Sequence, residues 1–76
     1  MSVTVYTSST CPWCVKAKQY LSSKGVEYKE VNVSLDMQAA REMIEKSGQR
    51  GVPVLDINGQ IVVGFDRPKI DELLGQ

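Results

Sequence analysis

The chain has 76 residues, with nine Lys and Arg, nine Asp and Glu, and no His, a length that fits one small domain over residues 1–76. The balanced charge excludes the basic surface of nucleic-acid and acidic-lipid binders, and the lack of imidazole excludes Cys–His and Ser–His catalytic pairs. The sequence shows no charged leader with an apolar core and no apolar run of membrane length. We therefore expect a cytoplasmic protein that binds neither nucleic acid nor membrane.

The first predicted elements are a strand and a helix on either side of a cysteine motif. The β-branched run VTVYT at 3–7 predicts the strand. Beyond it, Cys14, Ala17 and Leu21 recur at helical spacing. Gly25 follows at a position typical of a helix end.

A second strand and a second helix are predicted in the middle of the chain. The segment VEYKEVNV at 26–33 indicates the strand. Either Ser34 or Asp36 is placed to cap the helix, and Gly48 and Gly51 break the pattern after it. The residues expected on the inward face of this helix are Met37, Ala40, Met43 and Ile44.

A hairpin is predicted next. The runs VPVLDI at 52–57 and QIVVG at 60–64 both have the composition of strands. They are separated by Asn58 and Gly59, a pair that suits a tight type I′ turn. Two antiparallel strands are therefore expected here.

The last predicted element is a short helix that opens at Arg67 and Pro68 and turns Ile70, Leu73 and Leu74 inward. The complete order is β-α-β-α-β-β-α, which implies a parallel strand pair joined by a right-handed crossover, then an antiparallel hairpin. The sequence predicts an α/β, thioredoxin-like fold: a four-stranded mixed sheet flanked by three helices. A C-x-x-C motif after the first strand is the redox signature of that architecture.

The two cysteines of the chain, Cys11 and Cys14, lie at the start of the first predicted helix with Pro12 between them. Proline suits the first helical turn, so Cys11 is placed at the N-cap beside unpaired backbone N–H groups. These donors and the helix dipole stabilise a thiolate, the nucleophilic form of cysteine. We predict that Cys11 is the nucleophile and Cys14 the resolving cysteine. Lys16 and Lys18 add positive charge nearby and are expected to point to solvent.

Two other roles for the cysteine pair are less well supported. A disulfide across so short a loop would stabilise the fold by only roughly 2 kcal/mol, and small stapled domains carry more cysteines. Two cysteines without histidine supply half of a zinc site, so metal binding would need a dimer. The pattern favours a reactive dithiol.

Other residues are candidates for substrate binding. Trp13 either packs on its neighbours or forms a flat apolar wall beside the cysteines. The Val52–Pro53 pair either marks a strand entry or forms a cis bond whose Val52 backbone groups pair with an extended thiol peptide. Asp66 either caps the last helix or, with Arg67, marks a helix N-terminus that receives a ligand carboxylate.

Three segments in order, VYTSSTCPWC, SGQRGVPVLDING and VVGFD, together resemble the glutaredoxin family over essentially the whole chain. The resemblance implies glutathione-linked thiol–disulfide exchange by a small electron carrier. It also implies that five residues line the site of the glutathionyl group: Cys11, Trp13, Val52, Pro53 and Asp66.

The chain departs from the glutaredoxin pattern at several positions. Glutaredoxins usually carry lysine where this chain has Ser8, tyrosine at Trp13, and threonine at Gly51. The lysine would pair with a glutathione carboxylate, and Arg50 and Arg67 are the residues that could replace it.

The segment from Gly64 to Pro68, GFDRP, also resembles NrdH-type redoxins, which carry Trp-Ser-Gly-Phe-Arg-Pro near this point. Those proteins are reduced by thioredoxin reductase. The Cys-Pro-Trp-Cys loop is more similar to that of glutaredoxins than to the Cys-x-Gln-Cys loop of NrdH-type redoxins.

We predict a dithiol oxidoreductase that reduces protein or glutathione mixed disulfides. The alternative is a glutathione-independent electron donor to a ribonucleotide reductase or a peroxidase.

The expected partners are glutathione or thioredoxin reductase as electron donor, and protein disulfides as substrates of a monomer. No metal and no tightly bound cofactor are expected.

Two further hypotheses stay open. A dimer bridged through Cys11 could bind zinc or an iron–sulfur cluster, although Pro12 stiffens the loop and argues against it. Alternatively, Trp13 and Phe65 could serve docking to one dedicated partner.

Overall fold

The protein is described by a computed structural model over residues 2–75, and this part of the chain contains the predicted elements in the predicted order. The strands are β1 (Val3–Thr7), β2 (Lys29–Asn32), β3 (Val54–Ile57) and β4 (Gln60–Val63), and the helices are α1 (Pro12–Ser23), α2 (Met37–Ser47) and α3 (Arg67–Leu74). None of the helices within residues 2–75 combines the length and the apolar character needed to cross a membrane.

The four strands form one mixed sheet in the order β2-β1-β3-β4. β1 is parallel to β2, with Thr7 opposite Asn32, and antiparallel to β3, with Tyr6 opposite Val54. β3 and β4 form the antiparallel hairpin. The α/β, thioredoxin-like fold with three flanking helices is thereby confirmed.

The core lies in two layers, one on each face of the sheet. On one face, α1 and α3 contribute Leu21 and Ile70 to a buried cluster that contains Val5. On the other face, α2 packs Met43 against Tyr6. Adjacent strand residues point to opposite faces, so the successive residues Val5 and Tyr6 each supply one layer.

Local signals set the ends of the helices and the hairpin turn. The Asp36 carboxylate accepts a hydrogen bond from the Ala39 N–H at 3.1 Å, so Asp36, rather than Ser34, caps α2. Gly48 ends this helix in the left-handed conformation. In the hairpin turn, Asn58 and Gly59 have φ values of 54° and 88°, as a type I′ turn requires.

Three details of the sequence prediction were wrong. The hairpin strands were predicted at 52–57 and 60–64, but the paired residues are Val54–Ile57 and Gln60–Val63. The second strand spans residues 29–32 rather than 26–33, because only this shorter segment pairs with β1; Val26 and Tyr28 pack against the core from the preceding loop. Met37 was expected in the core but is 76% exposed. It is the first residue of α2, and the buried residues of this helix are Ala39 and Met43.

Candidate active site

The cysteine motif lies where β1 ends and α1 begins. Cys11 is the N-cap of α1 with extended backbone (φ −144°), and Pro12 is the first helical residue. The Cys14 N–H points at Cys11 Sγ at 3.1 Å. This N–H has no helical carbonyl to bond, since it belongs to the first turn, so Cys11 sulfur receives a backbone donor and the positive end of the helix dipole.

The two cysteines differ in accessibility. They are joined by a disulfide, with their Cα atoms 5.2 Å apart. Cys14 is 1% exposed, whereas Cys11 is half-buried. Cys11 is therefore the more accessible of the two cysteines, and Cys14 is enclosed by the packing around α1.

A groove of about 290 Å³ adjoins this motif, and its lining residues are Trp13, Val52, Pro53, Gly64 and Phe65. The Val52–Pro53 peptide bond is cis, and it brings the loop before β3 to the same side as the start of α1. Three predicted site residues, Trp13, Val52 and Pro53, thus meet in one place. The lining is uncharged, so the groove can accommodate an extended peptide or a glutathionyl group but does not itself supply an ion-pair partner.

Asp66 and Arg67 lie beside the groove rather than in its lining. The Asp66 carboxylate accepts a hydrogen bond from the Lys69 N–H at 3.3 Å and caps α3. Of the two roles expected for Asp66, helix cap and carboxylate-binding helix end, the structure shows the cap. The guanidinium of Arg67 lies 4.9 Å from the centre of the Tyr20 ring. Arg67 is exposed and remains accessible to a ligand that extends out of the groove.

The sequence prediction did not identify the aromatic contacts that hold one wall of the groove. Trp13 and Phe65 have ring centres 6.4 Å apart, and Phe65 meets Tyr20 edge-on at 5.7 Å. The Tyr20 hydroxyl is hydrogen-bonded to Asp71. The helical spacing of Trp13 and Tyr20 on one side of α1 was the signal available in the sequence, but it did not reveal Phe65 as the partner.

Both lysines near the cysteines make contacts that the sequence did not predict. The Lys16 ammonium lies 4.4 Å from the centre of the Trp13 ring. Lys18 donates to the Glu30 carboxylate at 2.9 Å, and the Thr7 hydroxyl donates to the same oxygen at 2.9 Å. These hydrogen bonds, that from Lys18 first, hold the pKa of Glu30 below its ordinary value.

The loop before Pro53 is held by a side chain that the sequence prediction also missed. The Gln49 amide donates to the Gly51 carbonyl at 3.0 Å, and its oxygen accepts from the Gly51 N–H at 3.2 Å. A Cβ at Gly51 would lie 2.9 Å from the Gln49 oxygen. A larger residue at position 51 would require the Gln49 side chain to move, so the glycine is compatible with the Gln49 contacts.

Two other positions bear on the pairing of a glutathione carboxylate. Ser8 is half-buried and Arg50 is exposed.

Comparisons with known proteins agree with this geometry. The family model described as Glutaredoxin matches residues 3–62 of the chain. The chain belongs to the glutaredoxin family. This glutaredoxin is thus a thiol–disulfide oxidoreductase, and Cys11 and Cys14 are its active-site pair.

Two relatives show how closely this glutaredoxin matches others in sequence. It is 47% identical over 72 residues to an uncharacterized glutaredoxin-like 8.6 kDa protein in a rubredoxin operon of Clostridium pasteurianum, covering 95% of this chain and 96% of that protein. It is 42% identical over 65 residues to glutaredoxin 3 of Escherichia coli K12, covering 86% of this chain and 78% of that protein.

Two solved structures, one of a glutaredoxin and one of an NrdH-redoxin, are similar to this chain as well. A glutaredoxin from Archaeoglobus fulgidus superimposes with a TM-score of 0.90 at 25% identity, over 99% of this chain and 87% of that chain. The glutaredoxin-like protein NrdH-redoxin from Escherichia coli, whose activity profile is described as thioredoxin-like, gives a TM-score of 0.86 at 27% identity, over 96% and 95% of the two chains.

Proposed function

We propose that this glutaredoxin reduces protein disulfides and glutathione mixed disulfides, with Cys11 as the nucleophile and Cys14 as the resolving cysteine. The observation that carries the assignment of roles is the contrast in position. Cys11 sulfur is accessible and receives the Cys14 N–H at the start of α1, whereas the Cys14 side chain is buried. An accessible, stabilised thiolate is what the attacking cysteine requires.

The proposed reaction consists of two exchanges. The Cys11 thiolate attacks one sulfur of the substrate disulfide, forms a mixed disulfide and releases the other sulfur as a thiol after protonation. Cys14, deprotonated, then attacks Cys11 sulfur and releases the second thiol, leaving the Cys11–Cys14 disulfide. Two molecules of glutathione reduce that disulfide and leave as glutathione disulfide, so that two electrons pass to each substrate.

The groove is the proposed binding place for the chain that carries the substrate sulfur. Among residues 2–75 no hydrogen bond to the Val52 backbone is present, so its N–H and C=O can pair with an extended peptide. Trp13 and Pro53 supply apolar contact, and the exposed Arg67 guanidinium is the group that we expect to pair with a ligand carboxylate. Asp66 acts indirectly in this proposal, because it caps the helix that carries Arg67. The proposed binding residues are therefore Trp13, Val52, Pro53, Asp66 and Arg67.

A second candidate concerns the electron donor. Ser8 stands where glutaredoxins usually carry lysine, and the nearly full-length similarity to NrdH-redoxin supports the alternative of a thioredoxin reductase as donor. In that case the protein would supply electrons to a ribonucleotide reductase or a peroxidase.

With either donor, we propose that the protein acts in the cytoplasm, because a reducing compartment keeps its dithiol available. We propose further that it acts as a monomer without a tightly bound cofactor.

The deciding experiment supplies NADPH with either glutathione and its reductase, or thioredoxin reductase alone, and follows NADPH oxidation in the presence of a disulfide substrate. We expect turnover with glutathione that is lost in Cys11→Ser. Turnover with thioredoxin reductase but not with glutathione and its reductase would overturn the glutathione proposal in favour of the second candidate. Absence of turnover with both donors would overturn both.

A further inference from the structure

A surface of aromatic rings and cations runs from the groove along α1, away from the cysteines. We call it the aromatic–cationic ridge; its aromatic members are Trp13, Tyr20 and Phe65, and its cations are Lys16, Lys24 and Arg67. Phe65 contacts both other rings, which makes the aromatic part continuous. Trp13 is 56% exposed and also lines the groove, so the ridge and the groove share one wall.

Each cation of the ridge is held against a ring. Lys16 lies 4.4 Å from the Trp13 ring centre. On Tyr20, the Lys24 ammonium is at 5.5 Å and the Arg67 guanidinium at 4.9 Å. Cation–π contact fixes the position of a charge without neutralising it, so the three cations form a row whose charge remains available.

The acidic groups do not neutralise this row. Among residues 2–75, salt bridges within 4.0 Å are made by Lys18 with Glu30 and by Lys46 with Asp56, and the three cations of the ridge make none. Two acids that border the ridge, Asp66 and Asp71, keep their negative charge, but their hydrogen bonds go to groups other than the three cations. Asp71 bonds the Tyr20 hydroxyl, and Asp66 faces the N-terminal N–H groups of α3.

We propose that the ridge binds an acidic segment next to the disulfide of a protein substrate. The inference rests on the proposed function, because the substrate disulfide must reach Cys11 while its flanking chain leaves the groove over Trp13. Cys11 and Lys24 are the N-cap and C-cap of α1, and their separation of 13 residues corresponds to about 20 Å along a helix. An extended peptide covers that distance with about six residues, so the acidic side chains belong within about six residues of the reacting cysteine.

The test uses three synthetic peptides with the same internal disulfide, flanked on one side by three glutamates, three glutamines or three lysines. Reduction is measured as kcat/KM for the wild-type protein and for the double variant Lys16→Glu/Lys24→Glu. The matched control is Lys29→Glu, an exposed lysine on the edge strand β2 outside the ridge.

We expect the glutamate peptide to exceed the glutamine peptide about tenfold in kcat/KM at low ionic strength, with the lysine peptide slowest. High salt should remove the difference. With each rate expressed relative to the glutamine peptide for the same protein, the double variant should invert the order of the charged peptides, while Lys29→Glu should keep the wild-type order.

Equal rates for the three peptides would overturn the acidic-segment proposal and leave the proposed function intact. Failure to reduce even the glutamine peptide would instead contradict the proposed function. Binding of the protein to phosphatidylserine-rich vesicles, lost in the double variant and unaccompanied by any peptide preference, would reassign the ridge to a lipid surface. Concentration-dependent dimerisation lost in the same variant would reassign it to a second copy of the chain.

Discussion

Cys11 and Cys14 have the same side chain and lie within one turn of helix, yet their surroundings give them different chemistry. Cys11 precedes the helix and takes a backbone N–H on its sulfur, while Cys14 is the first buried residue of α1. The proposed direction of attack rests on this difference in access, since the more accessible sulfur is the one we expect to form the mixed disulfide.

This difference predicts distinct effects for two single substitutions. Cys11→Ser should abolish all exchange. Cys14→Ser should retain reduction of glutathione mixed disulfides but lose most reduction of protein disulfides, and it should trap a mixed disulfide that mass spectrometry detects as an adduct on Cys11. An adduct on Cys14 in the Cys11→Ser variant, in place of this result, would reverse the assigned roles.

Glu30 provides a prediction on pH. Because hydrogen bonds from Lys18 and Thr7 lower its folded-state pKa below the ordinary 4.5, the charged form favours folding. This contribution is present above pH 4.5 and is lost as the pH falls through the lower, folded-state pKa. The pair is partly exposed, so the contribution should be about 0.2–1 kcal/mol.

The measurement is urea unfolding of wild type and Glu30→Gln between neutral and acidic pH. The difference in unfolding free energy should shrink on acidification through this range. Glu27→Gln, at an exposed position on the adjacent loop, is the control and should show no such trend. A Glu30→Gln difference that is constant with pH would contradict the role of the ion pair.

Each helix is preceded by a side chain that caps it, and two of these caps lie near the groove. Cys11 caps α1 and Asp66 caps α3, so residues that set the helix starts also lie close to the groove. Asp36 caps α2, the helix on the opposite face of the sheet. The element boundaries are therefore part of how the site is built.

The cap of α2 can be tested without altering the active site. Asp36→Ala should lower the unfolding free energy by about 1 kcal/mol and the melting temperature by about 4–8 °C, as followed by circular dichroism. Asp36→Asn keeps an acceptor for the Ala39 N–H and should stay near wild type. Equal losses in both variants would show that the carboxylate charge, rather than the cap, stabilises the helix.

At the scale of the whole molecule, stability depends on two thin core layers on a four-stranded sheet. A chain of this size buries only about 60% of its unfolded surface, so each core side chain is a large share of the total. Leu21 is fully buried in the layer under α1 and α3, the layer that also supports the helix carrying both cysteines. Core packing and the position of the active site are thus coupled.

Leu21→Ala should lower the unfolding free energy by about 2–5 kcal/mol and the melting temperature by more than about 10 °C. The matched control is Leu35→Ala, because Leu35 is 81% exposed, and its effect should stay within about 0.5 kcal/mol. Thermal unfolding followed by circular dichroism measures both. A small effect at Leu21 would mean that the surrounding side chains refill the space.

The sequence by itself determined the order of the elements, the Asn58-Gly59 turn and the placement of Cys11 at a helix start. These features depend on residues within a few positions of one another: Pro12 suits a first helical turn, and an Asn-Gly pair suits positive φ. The family resemblance extended this to the residues that meet at the groove, since Val52 and Pro53 lie far along the chain from Cys11.

Only the tertiary structure decided which faces are buried and which distant side chains touch. The outward position of Met37 depends on where α2 begins relative to the sheet. The shorter β2 depends on which residues β1 can pair. Tyr20 bonds Asp71 across 51 residues of sequence, a contact that exists because α1 and α3 pack on the same face of the sheet. Such contacts are set by the docking of whole elements, which no local pattern encodes.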